Sequence, residues 1–403
     1  RVQFDQVQKA REPILRKAYE TFSSHAGETE KLKYRNFLKE HYKWLNDFAL
    51  FMAIKHQQHL APWYQWDDNI RERDPDTLSK LQDDLNDEIN CYKFIQYQFA
   101  KQWAKVKEYA HRKRIRIIGD IPLYVALDSA DAWANHEIFE FNDKLVPIRV
   151  GGVPPDYFSE TGQLWGNPLF RWTEQKESVY AWWKERIVTN LQLFDIVRID
   201  HFRGFAAYWA VPYGEKTAVR GKWIDGPGKD FFDAMLAHFG TLPIIAEDLG
   251  VITPDVEELR DSYGFPGMKI LQFAFDSKEA NDYIPYNYNR NCLVYTGTHD
   301  NNTVVGWFNE ANEQDRKFLL DYLNTTGADV NWDLIRLAWG SVANTAIVPM
   351  QDLLGLDSAG RMNVPGTTSD NWQWRATDLD FTPELAEKLA KLTVLFGRDK
   401  QVK

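Results

Sequence analysis

Leu193-Phe194-Asp195-Ile196-Val197-Arg198-Ile199-Asp200-His201 is a short, mainly apolar run that stops on charged residues. Five more runs share that form: Ile115–Ile121, Leu242–Ala246, Met268–Phe275, Leu293–Tyr295 and Thr345–Met350. Between them lie stretches spaced for helix, namely Val179–Asn190, Asp230–Phe239, Pro254–Tyr263 and Glu313–Leu323. Near-continuous apolar strands alternating with helices read as a parallel sheet covered on both faces. Each run ends in polar residues: Gly119-Asp120, Asp200-His201, Glu247-Asp248, Gln272, Thr298-His299-Asp300 and Gln351-Asp352. In a (β/α)8 barrel the catalytic groups sit at those strand ends. A closed barrel uses eight strands and six are visible. Either two escape the pattern or the first two lie upstream of Arg1, and the missing initiator Met favours the second. The expected class is α/β, a (β/α)8 TIM-type barrel with helical insertions whose first two strands are missing from this chain.

Ahead of the first run the pattern is helical. Phe37, Leu38, Tyr42, Leu45, Phe48, Phe51 and Ile54 recur at helical spacing, and Pro62 breaks that helix. A second stretch runs from Pro75 to Arg112 and ends in basic residues, as a helix C-terminus favours. The expected organisation is a mainly helical segment and insertion subdomain over 1–112, then a catalytic barrel with loop subdomains over 113–403. Of the 403 residues 44% are hydrophobic and 26% charged, ample for a core and too apolar for bulk disorder. No run approaches the roughly 18 apolar residues of a membrane span. The net charge of −10 argues against nucleic acid as a partner. Cys91 and Cys292 fit two buried thiols in a reducing compartment, and the nine His include no HExxH. No metal or organic cofactor is implied. Sixteen tryptophans supply core packing first, and flat faces for sugar stacking second.

Strand alternation puts Arg198 and Asp200 on one face. A cation beside a carboxylate favours the ionised form, which suits a carboxylate nucleophile. An ordinary buried ion pair has the same spacing, so the pair alone decides nothing. Glu247 closes the apolar run Ile244-Ile245-Ala246, where desolvation raises a carboxyl towards the range of a general acid. Asp248 should face the other way, as a cap for the following turn. His299 and Asp300 add a ring N–H and a third carboxylate. Two carboxyls with opposed protonation across a sugar bond cleave glycosides, and retaining enzymes hold them roughly 5–5.5 Å apart.

Arg198-Ile-Asp-His-Phe-Arg-Gly204, Ala246-Glu-Asp-Leu-Gly250 and Gly297-Thr-His-Asp-Asn301 resemble the three catalytic blocks of amylomaltases. These are 4-α-glucanotransferases, or disproportionating enzymes, of the α-amylase clan. Ile118–Val125 and Gly152–Pro168 resemble two further family blocks, the second a long loop over the active site. The match runs from about Trp44 to Trp374. The family's first two strands and its Ser-Pro-Tyr loop have no counterpart here, which agrees with the count of six strands.

The resemblance implies Asp200 as nucleophile, Glu247 as acid/base and Asp300 as stabiliser of the oxocarbenium-like transition state. It implies that Arg198 holds Asp200 ionised, that His201 and His299 donate to the sugar, and that Tyr157, Phe158 and Trp165 stack on glucose units and screen water. Asp120 and Asn301, within matched blocks, join the expected substrate-binding set. The substrates it implies are maltooligosaccharides and amylose-like α-1,4-glucans, with no nucleic-acid or membrane partner and a cytoplasmic setting. An α-1,4-glucan hydrolase of the same clan and a catalytically silent glucan-binding fragment are the competing readings.

Overall fold

The computed structural model describes residues 1–155, 159–250, 252–275 and 282–399. Ten strands lie among them: β1 Ile118–Pro122, β2 Arg149–Val153, β3 Gln163–Pro168, β4 Ile196–Asp200, β5 Ala207–Pro212, β6 Lys222–Asp225, β7 Ile244–Ala246, β8 Gly267–Ile270, β9 Cys292–Tyr295 and β10 Thr345–Ile347. The chain divides into two compact units. One holds Gln8–Ile244 and Thr253–Leu259; the other holds Arg1–Val7, Ile245–Ile252 and Arg260–Lys403.

The stretch before β1 carries five long helices: Phe4–His25, Glu28–Glu40, Tyr42–Gln57, Pro75–Asp84 and Asn86–Arg112. Pro75 sits in the first turn of its helix, where a missing N–H costs nothing, and Asp74 accepts the amide of Thr77 at 2.9 Å. The run expected as one helix over 75–112 breaks at Leu85. Tyr19, Cys91, Phe94 and Tyr97 are buried together there, with Phe22, Tyr34 and Phe37 packed against them. The C-terminal carbonyls of the helix Lys176–Leu193 are met by the Lys107 ammonium, which donates to Leu191 and Gln192.

In the same unit β1 and β4 run parallel, with Asp120 opposite Arg198 and Pro122 opposite Asp200. The amide of Val197 donates to the carbonyl of Pro243, just ahead of β7, at 2.9 Å. A four-stranded antiparallel sheet, β3-β2-β5-β6, follows. It corrects the reading of 152–168 as a long loop, because both ends of that segment are strands. The consecutive glycines and the prolines after them mask strand propensity in the sequence, yet Gly152 lets β2 approach β3 closely, since a Cβ there would come within 2.4 Å of the Gln163 carbonyl oxygen.

In the other unit β8, β9 and β10 are parallel in the order β10-β9-β8. Leu271, Phe275, Val294, Val304, Leu334 and Ile335 form its core. Three of its helices are capped by side chains: Thr303 accepts from Gly306, Asn312 from Asp315 and Thr382 from Leu385. The helix Glu313–Leu323 has the bounds expected from its spacing. Met268–Phe275 is strand only as far as Ile270 and then turns into a 3-10 helix. Both cysteines are buried and free. No helix among the described residues is long and apolar enough to cross a membrane.

Candidate active site

The parallel register of β1 and β4 builds the first cluster. Arg198 is 8% exposed, so its guanidinium would be costly to bury without partners. Two carboxylates serve it: one terminal nitrogen lies 2.7 Å from Asp120 Oδ1 and the other 3.0 Å from Asp200 Oδ1. The two carboxylates are 49% and 45% exposed, so a buried cation presents two anions to solvent at adjacent strand ends. Arginine suits this position, since its planar fork can serve two acceptors at fixed angles and does not deprotonate.

His201 follows Asp200 with a left-handed backbone, φ 56°. Its ring meets Trp165 edge-on at 4.8 Å and lies 6.3 Å from Tyr124. A Cβ on Gly204 would come within 2.2 Å of the Leu123 side chain and 3.1 Å of the His201 ring, so only glycine lets the turn close this tightly. Burial pulls the imidazole down to about 4, with nearby Arg203 adding to the effect, so the ring is neutral at pH 7. A neutral ring keeps one N–H donor and one acceptor nitrogen. Trp165, on β3, is 37% exposed and donates through Nε1 to Gln163. Tyr157 and Phe158 lie outside the described residues.

The segment following β1 is pinned from the helical part of its unit. Lys55 Nζ lies 2.6 Å from Asp128, and Trp63 donates its backbone amide to Asp128 and its indole N–H to the Leu127 carbonyl. Asn167 donates from the end of β3 to the Val125 carbonyl at 2.7 Å. None of these anchors was expected from sequence.

The second group belongs to the other unit. Glu247 follows β7, and its Oε1 accepts the Leu249 amide at 3.0 Å. Asp248 is not the turn cap that was expected. It is buried, accepts the Met268 amide at 2.7 Å and lies 2.5 Å from Arg260 Nη1. Burial pushes its carboxyl above the usual range, against the pull of those partners. Gln272 and Asp352, two other polar strand ends, are also spent on structure. Gln272 donates to the Asn302 carbonyl, and Asp352 accepts from the Thr296 hydroxyl and the Val304 amide.

His299 and Asp300 remain partly exposed, with Nε2 of the ring 3.3 Å from Asp300 Oδ2. Asn301 Oδ1 accepts both the amide and the hydroxyl of Thr298 at 2.8 Å, which closes the turn carrying Asp300. Two residues without a local signal hold that turn. Asn363 donates its side-chain amide to Asp300 Oδ1 at 2.6 Å, and Arg361 donates to the Asp300 carbonyl at 2.8 Å. The structure thus joins Asp120, Arg198 and Asp200, sets His201 against Trp165, and joins His299 to Asp300. Among the described residues no cluster of three or more His, Cys, Asp or Glu could hold a metal ion.

A family model described as 4-alpha-glucanotransferase matches residues 1–380. A 4-alpha-glucanotransferase of Clostridium butyricum is 47% identical over 388 residues, covering 96% of this chain and 79% of that protein. One from Synechocystis is 48% identical over 402 residues, with 99% and 80% covered. An amylomaltase structure from Streptococcus agalactiae, in complex with acarbose, aligns at TM-score 0.94 and 38% identity over 98% of this chain and 80% of that one. The parallel strands β1 and β4, the parallel strands β8, β9 and β10, and their helices are accordingly part of a TIM-barrel-type α/β fold. The chain belongs to the 4-alpha-glucanotransferase family.

Proposed function

We propose that this chain transfers α-1,4-linked glucan segments between maltooligosaccharides by a retaining double displacement. The observation that carries the reading is the buried Arg198 guanidinium shared between Asp120 and Asp200 at a parallel strand end. Family membership supports the reaction, and that ion pair supports Asp200 as its nucleophile.

In the first step an Asp200 oxygen attacks C1 of a glucose unit as the bond from C1 to the leaving O4 breaks. Glu247, protonated, gives its proton to that oxygen, and a β-linked ester forms on Asp200. In the second, the 4-hydroxyl of an acceptor enters and the Glu247 carboxylate takes its proton. The acceptor oxygen bonds to C1, the ester bond breaks, and Asp200 leaves as a carboxylate. Two inversions restore the α linkage.

Arg198 favours the anionic Asp200 that the first step needs. Asp300, oriented by Asn363 and Arg361, binds sugar hydroxyls and stabilises the oxocarbenium-like transition state. Asp120 joins in binding sugar and shares the guanidinium with Asp200. His201 and His299 each offer a ring N–H to the sugar at the cleavage point, and Asn301 acts through the Asp300 turn. Tyr157, Phe158 and Trp165 stack on glucose faces and keep water from the ester. Attack by water would end in hydrolysis, so its exclusion favours transfer. The substrates are maltooligosaccharides and amylose-like α-1,4-glucans, and the place of action is the cytoplasm.

The test is incubation of the full chain with maltotriose, with products resolved by length and reducing ends counted. Glucose plus a ladder of longer maltooligosaccharides, without net gain of reducing ends, is the expected result. A rise in reducing ends without longer products would make the protein a hydrolase. Unchanged maltotriose, with maltoheptaose still bound, would make it a glucan-binding protein.

A further inference from the structure

Residues 361–373 form a strap over the His299-Asp300 turn. Besides the two contacts to Asp300, the Asn363 amide donates to the His299 carbonyl at 3.0 Å, and the Trp372 amide donates to the Met362 carbonyl at 2.6 Å. The strap sets the Trp372 indole against the His299 imidazole, with ring centroids 5.2 Å apart and planes inclined by 35°. Despite that contact the residue is 47% exposed. The backbone of Trp372 has φ 60°, two residues after Asp370 at 63°. Glycine or asparagine adopts this conformation at little cost, whereas a bulky aromatic residue is strained in it. A half-exposed ring contributes little to a core, so burial does not account for a tryptophan in such a turn. Strained residues of this kind gather at ligand sites.

We propose that Trp372 is an α-glucan-binding residue. Its open indole face takes the apolar C–H face of one glucose ring, in the subsite whose hydroxyls are within reach of His299 and Asp300. This deepens the transferase reading and rests on it for placing sugar at His299. The opposing account is that the indole only props the His299 ring.

The experiment measures maltoheptaose binding by calorimetry in an Asp200→Asn protein, where no ester can form, with and without a second change at Trp372. Turnover of maltotriose is followed in parallel with Asp200 intact. Trp372→Ala should weaken binding by about three- to tenfold, the scale of an aromatic stacking contact. Trp372→Gly should lose as much, although glycine relieves the backbone, and Trp372→Phe should keep most of the affinity. KM should rise by a similar factor, while kcat and the pH profile stay within about twofold. Parent-like binding by Trp372→Gly, or a lowered kcat with a shifted pH profile at unchanged affinity, would overturn the proposal in favour of a prop. If the Ala and Gly variants lose their melting transition, Trp372→Phe against Trp372→Leu decides, with equal affinity of the two counting against stacking. Trp372-dependent binding in a protein that makes no product ladder would sink the transferase reading and leave this inference standing. No maltoheptaose binding by the parent would overturn both.

Discussion

Arg198→Lys keeps the positive charge and removes the fork, so it isolates what the geometry contributes. The guanidinium reaches Asp120 at 2.7 Å and Asp200 at 3.0 Å through different nitrogens. A lysine ammonium is a point charge on a flexible stem and holds one of these carboxylates well, the nearer one being Asp120. Asp200 then loses a charge-assisted hydrogen bond, a contact of about 1.5–3 kcal/mol. Both carboxylates are nearly half exposed, so solvent screening places the loss at the lower end. About 1.4 kcal/mol is tenfold in rate, and kcat/KM for maltotriose disproportionation should fall about that far. KM should change little, because the Arg198 guanidinium is engaged by the two carboxylates. The pH profile gives a second readout with a definite sign. Weaker support for the anion means that Asp200 takes up a proton at higher pH, so the acid limb should move upwards. Arg198→Met, which leaves the two carboxylates side by side without a cation, should go further in both respects. Activity within about twofold of the parent in Arg198→Lys, with an unmoved acid limb and unchanged melting temperature, would refute the reasoning. Arg198 would then be a tie between β1 and β4 and nothing more.

His201→Asn suits the left-handed backbone and removes the imidazole held near 4. The unfolded chain binds that proton near 6.5 and the folded one near 4, so stability falls as pH drops through this window, by up to about 1.4 kcal/mol per unit. The variant should flatten the melting temperature against pH between those values, and an unchanged slope would assign it to other groups. Gly267→Ala would place a Cβ 2.3 Å from Asp248 Oδ2, which already serves Arg260 and the Met268 amide. Overpacking there should cost about 1–3 kcal/mol in urea unfolding, and a parent-like midpoint would mean that the buried pair relaxes freely. Trp165→Ala should raise the ratio of reducing ends released to longer products formed. An unaltered ratio would remove water exclusion from the role of that indole.

The Arg198–Asp200 pair is legible in the sequence, because strand alternation alone puts the first and third residues on one face. The share Asp120 takes is not. It arrives from 78 residues away through the register of β1 on β4, and periodicity carries no register. The same gap explains Asp248. Alternation turns it away from Glu247, but only folding brings Arg260 and the Met268 amide to meet it. Met268–Phe275 and Thr345–Met350 misled for another reason, since a short apolar run cannot tell a strand from a strand that turns into a helix. The strap that carries Arg361, Asn363 and Trp372 reads as a polar turn-rich loop, and nothing local in it points to His299. The carboxylates proposed as catalytic are therefore readable where backbone geometry constrains neighbours in the sequence. The groups that orient them come from distant segments, which local pattern cannot place. It follows that substitutions at Asn363 or Arg361 can disarm Asp300 while every residue of the Gly297–Asn301 block stays intact, so an unaltered set of carboxylates is not by itself evidence of an active site.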